Sequence, residues 1–349
     1  MTARLEVDLD ALSANLARVQ AVAAPASVML VVKDDAYGHG LAPVVLRAWA
    51  AGIRWIGAFD ARTGLAVRAL LGPDARIFVW IAASPGDALA AVAADLDIGV
   101  GDAQVLEEVA AAAFTLDARA RVHLKIDTGL HRNGVRPESW PAFVGRARTL
   151  QDQGRIDVVG IWSHIAEASD ADDDAARDAF EDAVAAAGRA GLSPRLRHLA
   201  ASAASFARPE FRYDLVRVGA FAYGIAPAGG PSADELGIRP LATLRAEVLD
   251  TQGEIARIGV GALDGLPSVL AGRIVVGTPS GARPLIDIGE RESTVGSWPG
   301  AAMGDTVTIY GPADAAPYSA TALAEKIGTI GEEIAVRISP GVTRVYRGL

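Results

Sequence analysis

The sequence contains no cysteine, which excludes disulfides, thiolate metal sites and cysteine nucleophiles. It has no continuous apolar run long enough to span a bilayer, although hydrophobic residues make up 51% of its 349 positions. The N-terminus, MTARLEVDLDAL, carries acids where a signal peptide needs an apolar core. A net charge of −9 without a basic run argues against binding to nucleic acid or anionic membranes. These absences predict a soluble, cytoplasmic protein.

Short apolar runs alternate with helical patterns over the first two thirds of the chain. Eight strand candidates are separated by seven gaps of roughly 25 residues, as expected for a barrel of βα units. A doubly wound open sheet would also alternate, but no G-x-G-x-x-G follows the first run. The sequence therefore predicts an α/β fold, a (β/α)8 TIM-type barrel. The candidates are Val28–Val32, Trp55–Phe59, Arg76–Ile81, Leu96–Val100, Arg121–Ile126, Val158–Ser163, Leu196–Ala200 and Asp214–Val218.

Beyond the barrel the pattern changes to that of a mainly antiparallel β domain. Ala226–Pro231 is a proline- and glycine-rich linker, and short alternating runs with glycine-rich turns follow it. We therefore divide the chain into a barrel domain, 1–225, and a C-terminal β domain, 226–349. The first strand, Arg4–Leu9, could pair with the C-terminal domain. The predicted strands of that domain are Thr243–Leu249, Glu254–Gly259, Ser268–Val276, Pro284–Ile288, Thr306–Tyr310 and Glu333–Ile338.

The most informative stretch is Ser27–Gly40, SVMLVVKDDAYGHG. Its apolar run ends in Lys33 and a polar turn follows, which predicts a buried strand that delivers one lysine to its C-terminal edge. That amine is available for imine chemistry, although an isolated lysine at a strand end more often just reaches solvent. Tyr37 supplies a hydroxyl, and Gly38 and Gly40 allow close backbone approach to a ligand.

In a βα barrel the active site is built at the C-terminal ends of the strands. Phosphate donors are expected at Ser202 after strand seven and at Gly219–Ala220 after strand eight. Each residue alone has a structural explanation: Ser202 as a helix cap, His164 as a core histidine, Arg132 as a partner of Asp127. Together, a lysine, several cations and small residues suit an anionic, carbonyl-bearing ligand. The positions are Lys33, Asp60, Trp80, Asp127, Arg132, His164, Ser202, Arg217 and Gly219.

The acidic cluster Asp170, Asp172–Asp174 has the pattern of a helix N-terminus. No second acidic or histidine cluster accompanies it in the sequence, so we predict no metal site there.

Over nearly its whole length the chain resembles the alanine racemase family. Lys33–Gly40, KDDAYGHG, is similar to the most specific motif of that family, and Lys125–Gly134, KIDTGLHRNG, to its strand-five signature. Asp214–Gly224, DLVRVGAFAYG, resembles the family segment whose arginine faces the pyridine nitrogen of the cofactor. Weaker similarities lie at Leu5–Leu16, Ser163–His164, His198–Ala204, Gly261–Gly265 and Lys326–Ile334.

The resemblance implies a pyridoxal 5′-phosphate enzyme in which Lys33 holds the cofactor as an imine and serves as one base at Cα. It implies that Arg217 faces the pyridine nitrogen, and that His164 lies beneath the ring and contacts Arg217. Lys125 matches a lysine that is often carbamylated and positions Arg132. The implied catalytic residues are Lys33, His164 and Arg217; the cofactor residues are Lys33, Tyr37, Trp80, Arg132, His164, Ser202, Arg217, Gly219, Ala220 and Tyr223; and the substrate residues are Arg132, Ile286 and Asp287.

The chain departs from the family pattern where the second catalytic base is expected. In the family that base is a tyrosine in a V-S-Y-G-type hairpin that reaches across a homodimer interface. Here Arg245–Gly265 passes straight from one strand to the next, and no tyrosine occurs between Tyr223 and Tyr310. Two further family tyrosines are replaced by Ala262 and Glu332.

The resemblance thus predicts a racemase of a small amino acid, acting as a homodimer without nucleic-acid or membrane partners. Racemisation would need His164, another side chain or water in place of the tyrosine. Two alternatives remain within the family: a one-base reaction such as aldol cleavage of a β-hydroxy amino acid, or cofactor binding without turnover. Outside it, a barrel aldolase could use Lys33 without a cofactor and hold a sugar phosphate at Ser202 and Gly219.

Overall fold

The structure is a computed structural model that describes residues 2–167 and 169–348. Two compact units interleave along the chain. The barrel unit comprises Val19–Lys33 and Gly52–Gly219, and the β unit comprises Met1–Arg18, Asp34–Ala51 and Ala220–Leu349. The contiguous domains expected from the sequence, divided after residue 225, stay a prediction. Among the helices of the described residues, none has both the length and the apolar character needed to cross a membrane.

Strands and helices alternate through the barrel unit, and strands dominate after it. The strands are β1 Ala3–Asp8, β2 Ser27–Val31, β3 Trp55–Asp60, β4 Arg76–Ile81, β5 Asp97–Val100, β6 Ala120–Lys125, β7 Ile156–Trp162, β8 Leu196–His198, β9 Leu215–Val218, β10 Ala242–Gln252, β11 Ile255–Ile258, β12 Val275–Thr278, β13 Gly281–Ile288, β14 Ser293–Gly296, β15 Thr306–Tyr310 and β16 Thr343–Arg347. The helices are α1 Leu9–Ala23, α2 Lys33–Tyr37, α3 Leu41–Ala50, α4 Ala61–Leu71, α5 Pro85–Ala93, α6 Ala103–Thr115, α7 Trp140–Asp152, α8 Asp170–Arg189, α9 Ser202–Ala207, α10 Ala233–Leu236, α11 Ala320–Glu325 and α12 Gly331–Val336.

Strands β2 to β9 form a parallel sheet in which each strand pairs with its neighbour in sequence and β2 also pairs with β9. The ends of the sheet meet, because the Asp214 amide donates to the Arg197 carbonyl and the Arg217 amide to the Ala200 carbonyl, both at 3.1 Å. The sheet is therefore a closed barrel, and its eight strands are the eight that the sequence predicts. The predicted (β/α)8 TIM-type barrel is confirmed.

A cluster of large side chains fills the barrel interior, as expected for a packed core rather than a pore. Met29, Phe78, Trp162 and Leu215 form this cluster and are at most 4% exposed. They come from β2, β4, β7 and β9, so they join opposite sides of the barrel. This cluster, called the barrel floor below, is closely packed and gives rigid support to the side chains at the C-terminal mouth.

The β unit contains a second closed sheet. Strands β10, β11, β14, β13, β12 and β15 pair in that order, and β15 returns to β10. Strand β1 adds antiparallel to β10, with Leu5 opposite Leu244, and β16 adds parallel to β1. The expected pairing of the first strand with the C-terminal sheet is confirmed, and so is the mainly antiparallel character of that sheet.

The sequence-based prediction was wrong for two strands of the β unit. Glu333–Ile338 is largely helical, since α12 covers Gly331–Val336, and Ser268–Leu270 is a 3₁₀ turn before β12. The helical spacing was present in the sequence, because Ile334 and Ile338 lie four residues apart and both are buried. Strands β14 and β16 were not predicted.

Strands β10 and β11 are joined by a two-residue turn. Gln252 pairs with Ile255, which leaves Gly253 and Glu254 as the loop. Gly253 has a φ of +59°, the backbone conformation that glycine adopts without a steric penalty. The direct connection predicted for Arg245–Gly265 is confirmed, and this turn carries no tyrosine.

The acidic cluster lies in the first turn of α8, where carboxylates interact favourably with the helix dipole. Ser169 is the cap itself and accepts from the Asp172 amide at 3.1 Å. Arg208 forms ion pairs with Asp170 and Asp174. Within residues 2–167 and 169–348, no group of three or more histidine, aspartate or glutamate side chains could hold a metal ion.

Candidate active site

Most of the residues singled out in the sequence meet at the C-terminal end of the barrel unit. They lie on one of the last two residues of a strand or in the loop that follows it, so the parallel arrangement brings them to one mouth. The set in this unit is Lys33, Trp80, Lys125, Arg132, His164, Ser202, Arg217 and Gly219.

Strand β2 delivers Lys33 to this mouth. Val28 to Val32 are buried, and the Val32 amide still donates to the Gly57 carbonyl of β3 at 2.9 Å, so the strand is held up to the residue before the lysine. Lys33 itself is half-buried. Its position therefore fits the predicted reactive lysine at a strand end.

The chain turns in a left-handed helical conformation directly after Lys33. Asp34, Asp35 and Ala36 have φ values of 53° to 55° and ψ values of 48° to 53°. Each non-glycine residue in this region costs roughly 1–2 kcal/mol. The turn is stabilised locally, since the Asp35 carboxylate accepts from the Leu41 amide at 2.8 Å. Strain next to the candidate nucleophile is typical of functional sites.

Tyr37 and the motif glycines are packed within the β unit. The Tyr37 ring lies 4.7 Å from the Tyr223 ring, and burial raises the pKa of Tyr37 far above its usual value of 10.0. A Cβ on Gly38 would lie 2.7 Å from the Ala335 carbonyl oxygen, and one on Gly40 would lie 2.0 Å from the hydroxyl of Tyr346. The glycines thus admit protein groups, which corrects the expectation that they admit a ligand.

Arg217 is 2% exposed, and its guanidinium is held from several sides. Its Nη1 donates to the His198 carbonyl at 3.0 Å, and its Nη2 donates to the Ser163 and Leu199 carbonyls at 2.8 and 3.0 Å. Burial and the neighbouring Arg132 lower the pKa of Arg217 to about 9, so it remains a cation at neutral pH. It can donate hydrogen bonds but cannot release a proton there.

His164 contacts Arg217, as the resemblance implies. The two meet through Nδ1 of His164 and Nη2 of Arg217 at 3.1 Å. Burial, Arg217 and the other cations of the mouth lower the pKa of His164 to about 3, so the imidazole is neutral at pH 7. Because the arginine supplies the hydrogen at Nδ1, the imidazole proton is on Nε2.

Lys125 is the last residue of β6 and is only 5% exposed. Its ammonium lies 4.4 Å from the Trp162 ring centroid. Burial, Arg217 and Arg132 lower the pKa of Lys125 to about 8, so a fraction of it is neutral near pH 7. A neutral amine is the form that can react with carbon dioxide to give a carbamate.

Asp127 organises the loop that carries Arg132. Its Oδ1 accepts from the Gly129 and His131 amides at 3.1 and 3.0 Å, and its Oδ2 lies 3.0 Å from His131 Nδ1. The side chain of Arg136 also reaches it, at 3.6 Å. Arg132 is exposed in this loop, and its charge acts on the pKa of Lys125, His164 and Arg217.

The two candidate phosphate loops are joined by one hydrogen bond. The Gly219 amide donates to the Ser202 hydroxyl at 3.1 Å, which ties the loop after β9 to the start of α9. Nearby, the Ala204 amide donates to the Glu167 carboxylate at 3.4 Å. The Ser202 hydroxyl accepts in this bond and keeps its own hydrogen, which it can donate to an anion such as phosphate.

The remaining predicted residues, and Trp80 in more detail, have the following surroundings. Asp60 caps α4 by accepting from the Thr63 amide at 2.7 Å, which is a structural role. Trp80 and Asn133 line a cavity of about 360 Å³ at the ends of β4 and β5. In the β unit, Ala220 and Tyr223 are buried, whereas Ile286 and Asp287 are exposed on β13.

Sequence reasoning missed three polar residues inside the barrel: Asp97 on β5, His123 on β6 and His198 on β8. All three are fully buried. The signal for them is a titratable residue within an apolar strand, as in DIGV and ARVHLK. Such a residue must find a partner in the interior.

Residues 7–227 match the family model described as alanine racemase, N-terminal domain. The chain belongs to the alanine racemase family. Among curated relatives, the alanine racemase of Thermobifida fusca is 36% identical and that of Beutenbergia cavernae 39%, in both cases with 99% of this chain and 98% of the relative covered. Among solved structures, alanine racemase from a D-cycloserine-producing Streptomyces lavendulae has a TM-score of 0.95 at 35% identity, covering 100% of this chain and 98% of that one.

This alanine racemase family member is shorter than its relatives. The comparison with the Thermobifida fusca protein extends over 379 positions, which is 30 more than the 349 residues of this chain. That relative therefore carries at least 30 residues without a counterpart here.

Proposed function

We propose that this chain is an amino-acid racemase that acts on alanine with pyridoxal 5′-phosphate as its cofactor. The observation that carries the proposal is the similarity to alanine racemases over 99% of the chain, combined with Lys33, His164 and Arg217 at one barrel mouth. The cytoplasmic location expected from the sequence belongs to the same proposal.

The residues present fit this cofactor. The Ser202 hydroxyl can donate its hydrogen to a phosphate while it accepts from the Gly219 amide, and Arg132 and Arg217 supply positive charge in the same unit. Lys33 would hold the group through its amine. When bound, pyridoxal phosphate supplies an electron-withdrawing ring that acidifies the Cα proton of an amino acid. The roles of Tyr37, Trp80, Ala220 and Tyr223 rest on the resemblance alone.

The residues of the chain divide the remaining work. Lys33 would move the proton at Cα on its own side, as a general base whose reach is set by β2. Arg217 stays charged and can only donate hydrogen bonds, so it would face a ring nitrogen without giving it a proton. His164 keeps its proton on Nε2 and orients the arginine through Nδ1. Arg132 would bind the substrate carboxylate.

One experiment tests the activity. L-Alanine is incubated with the holoenzyme in heavy water, and both the enantiomer ratio and deuterium at Cα are measured. We expect D-alanine to accumulate with deuterium incorporated. If no D-alanine forms and no deuterium enters at Cα, the proposal is contradicted for alanine.

The cofactor linkage has its own test, because the chain contains only three lysines, Lys33, Lys125 and Lys326. Borohydride reduction of the holoenzyme followed by peptide mass mapping should place the label on Lys33 alone. The variant K33A should lose the label and the visible absorbance, whereas the matched control K326A should keep both. A label on Lys125, or none at all, would contradict the assignment.

A second activity is favoured by the two-residue turn Gly253–Glu254. In the family that region holds the tyrosine on the far side of Cα, and without it a reaction that needs only one base is the alternative. Aldol cleavage of a β-hydroxy amino acid is such a reaction. Aldehyde release from threonine at a rate above that of alanine racemisation would favour the lyase, and the absence of spectral change with every amino acid would favour a binding protein.

We also infer a homodimer, as in other members of the family. Ile286 is 45% exposed and Asp287 lies beside it, so both are available to a second subunit at its substrate site. Light scattering should give twice the chain mass of 36.1 kDa. A particle of single-chain mass would refute this inference.

A further inference from the structure

A line of buried polar side chains crosses the interior of the barrel unit beneath Arg217. Asp97, His123 and His198 are each fully buried. Nε2 of His123 lies 3.3 Å from Oδ1 of Asp97, and Nδ1 of His123 lies 2.9 Å from Nε2 of His198. Nδ1 of His198 then lies 3.1 Å from Nη1 of Arg217. The line therefore joins a carboxylate deep in the barrel to the arginine at its mouth.

Asp97 is the charged end of this line. Burial opposes its ionisation, but hydrogen bonds from His123 and Arg76, with the charge of Arg121, lower the pKa of Asp97 to about 2. Its Oδ1 and Oδ2 accept from Arg76 at 2.7 and 3.2 Å, and Oδ2 also accepts from Arg121 at 3.2 Å. An ionised carboxylate can only accept hydrogen bonds. The proton of the neutral His123 is therefore on Nε2.

The remaining directions follow in sequence. With its proton on Nε2, His123 accepts at Nδ1, so His198 must donate from its own Nε2. His198 then accepts at Nδ1, where Arg217 donates. Burial lowers the pKa of both histidines, which keeps the two imidazoles neutral. The carboxylate at one end can only accept and the guanidinium at the other can only donate, so both impose the same direction on these three hydrogen bonds.

The backbone is shaped to fit this line. His123 of β6 pairs with Gly160 of β7 next to an irregularity in the register. A Cβ on Gly160 would lie 2.2 Å from Nδ1 of His123, so only glycine leaves room for the nitrogen that accepts from His198. The Trp162 ring stacks on His198 with centroids 5.7 Å apart and an angle of 6°. The local geometry thus fixes both imidazoles in place as well as in direction.

We propose that Asp97, His123 and His198 form a positioning relay that holds the guanidinium of Arg217 in place at the mouth, where it faces Nδ1 of His164. The relay is a property of the barrel interior and stands without a cofactor. Its effect on turnover rests on the proposed function. Of the three residues only His198 contacts the mouth, and it does so through Arg217. All three are therefore positioning residues, in the way a buried carboxylate holds a catalytic histidine in place.

The first test reads the tautomers directly. The chain has five histidines, so ¹⁵N-histidine labelling gives few signals to assign. At neutral pH we expect His123, His198 and His164 to carry their protons on Nε2. A cationic His198, or one with its proton on Nδ1, would overturn the relay. This arm needs the wild-type protein only, so it remains decisive if a variant fails to fold.

The second test removes the negative charge of Asp97. In D97N the amide offers one acceptor atom where three donors compete, so we expect His123 to lose its uniform Nε2–H form. His198 should keep its proton on Nε2, because Arg217 can only donate to its Nδ1. The matched control is D95N. Asp95 pairs with the same Arg121, but its side chain is 70% exposed and it does not belong to the line. An unchanged His123 tautomer in D97N, or an equal change in D95N, would contradict the proposal.

The third test measures the effect at the mouth. D97N should lower kcat for racemisation roughly 10- to 100-fold, the scale of a small misplacement of a catalytic group, with KM changed less than about threefold. D95N should leave both unchanged. If the wild-type protein does not racemise alanine, the proposed function fails while the tautomer result still decides the relay. A normal kcat in D97N with altered tautomers would show that the relay does not act on catalysis.

Discussion

Buried neutral histidines should make the folded protein sensitive to mild acid. Burial lowers the pKa of His39 to about 4 and that of His198 well below its usual value of 6.5. Burial and the mouth cations lower the pKa of His164 to about 3. Unfolding returns each imidazole to water, where its pKa is about 6.5. Since the unfolded state then binds more protons, stability is fully present above pH 6.5 and is lost as the pH falls below it.

The size of this loss follows from the three shifts. Between pH 7.5 and 5.5, one such histidine removes about 1.4 kcal/mol from the free energy of unfolding, because 2.3RT is about 1.36 kcal/mol and the unfolded imidazole gains close to a full proton across that range. These three histidines together remove about 4 kcal/mol, a large part of the ~5–15 kcal/mol typical of a folded domain. His123, whose pKa burial also lowers, adds to this loss and to the proton uptake. Unfolding at pH 5.5 should take up about 0.9 proton per histidine, or roughly 2.7 in all.

Proton uptake is the assay of choice, because it does not require two-state unfolding. The protein is unfolded in urea at pH 5.5 and 7.5 in weak buffer, and the proton balance is measured at each pH. The matched variant is H39N, because the asparagine amide can still donate to the Ala36 and Tyr37 carbonyls, as His39 Nδ1 does at 3.1 and 2.8 Å. Uptake should fall by about 0.9 proton in H39N. Uptake below about one proton in the wild type, or no difference in H39N, would refute the reasoning.

Three further predictions concern stability. F78A should cost about 3–5 kcal/mol in urea unfolding, because the ring is fully buried in the barrel floor, and F78L should cost clearly less. D102A should cost about 1 kcal/mol in thermal unfolding, because Asp102 caps α6 by accepting from the Val105 amide at 2.9 Å, whereas D102N should keep most of the cap. G40A should cost about 1–3 kcal/mol, because the new methyl would lie 2.0 Å from the Tyr346 hydroxyl, and adding Y346F should recover part of the loss.

The barrel could be predicted because each of its strands has a recognisable pattern in the local sequence. Parallel strands are covered on both faces, so each reads as a continuous apolar run such as Val28–Val32 or Arg76–Ile81. Lys33, His164 and Arg217 were found for the same reason, since a polar residue that ends such a run must lie at the mouth. The position of a site residue thus followed from the strand that precedes it.

The turn after Lys33 could not be predicted in the same way. Left-handed backbone at Asp34–Ala36 has no clear compositional signal, because alanine avoids it and aspartate adopts it mainly as a single residue, not in a run. Gly38 and Gly40 did signal an unusual backbone, but the groups they admit come from Ala335 and Tyr346, three hundred residues away in sequence. The glycines in the sequence indicate that another group approaches the backbone closely, but they do not identify that group.

The interior relay escaped prediction because each member is unremarkable alone. A single buried histidine within a strand is most simply explained by one hydrogen bond in the core. Only the parallel register, which sets His123 opposite Gly160 and His198 opposite Trp162, brings the two imidazoles and Asp97 into one line. The position of the relay is thus determined by the pairing of the strands and by the missing Cβ of Gly160, neither of which can be recognised in the local sequence.

The electrostatics of the mouth bear on which group could serve as an acid or base beside Lys33. A useful acid or base has a pKa near the working pH, and the pKa of His164 is lowered to about 3, four units below neutral. Only about one molecule in 10⁴ would hold the imidazolium at pH 7, which makes His164 a poor proton donor or acceptor and a good neutral partner for Arg217. Lys125, with a pKa lowered to about 8, is much closer to neutrality. His164 therefore fits the role of orienting Arg217, and the proton on the far side of Cα is left to a group other than this histidine.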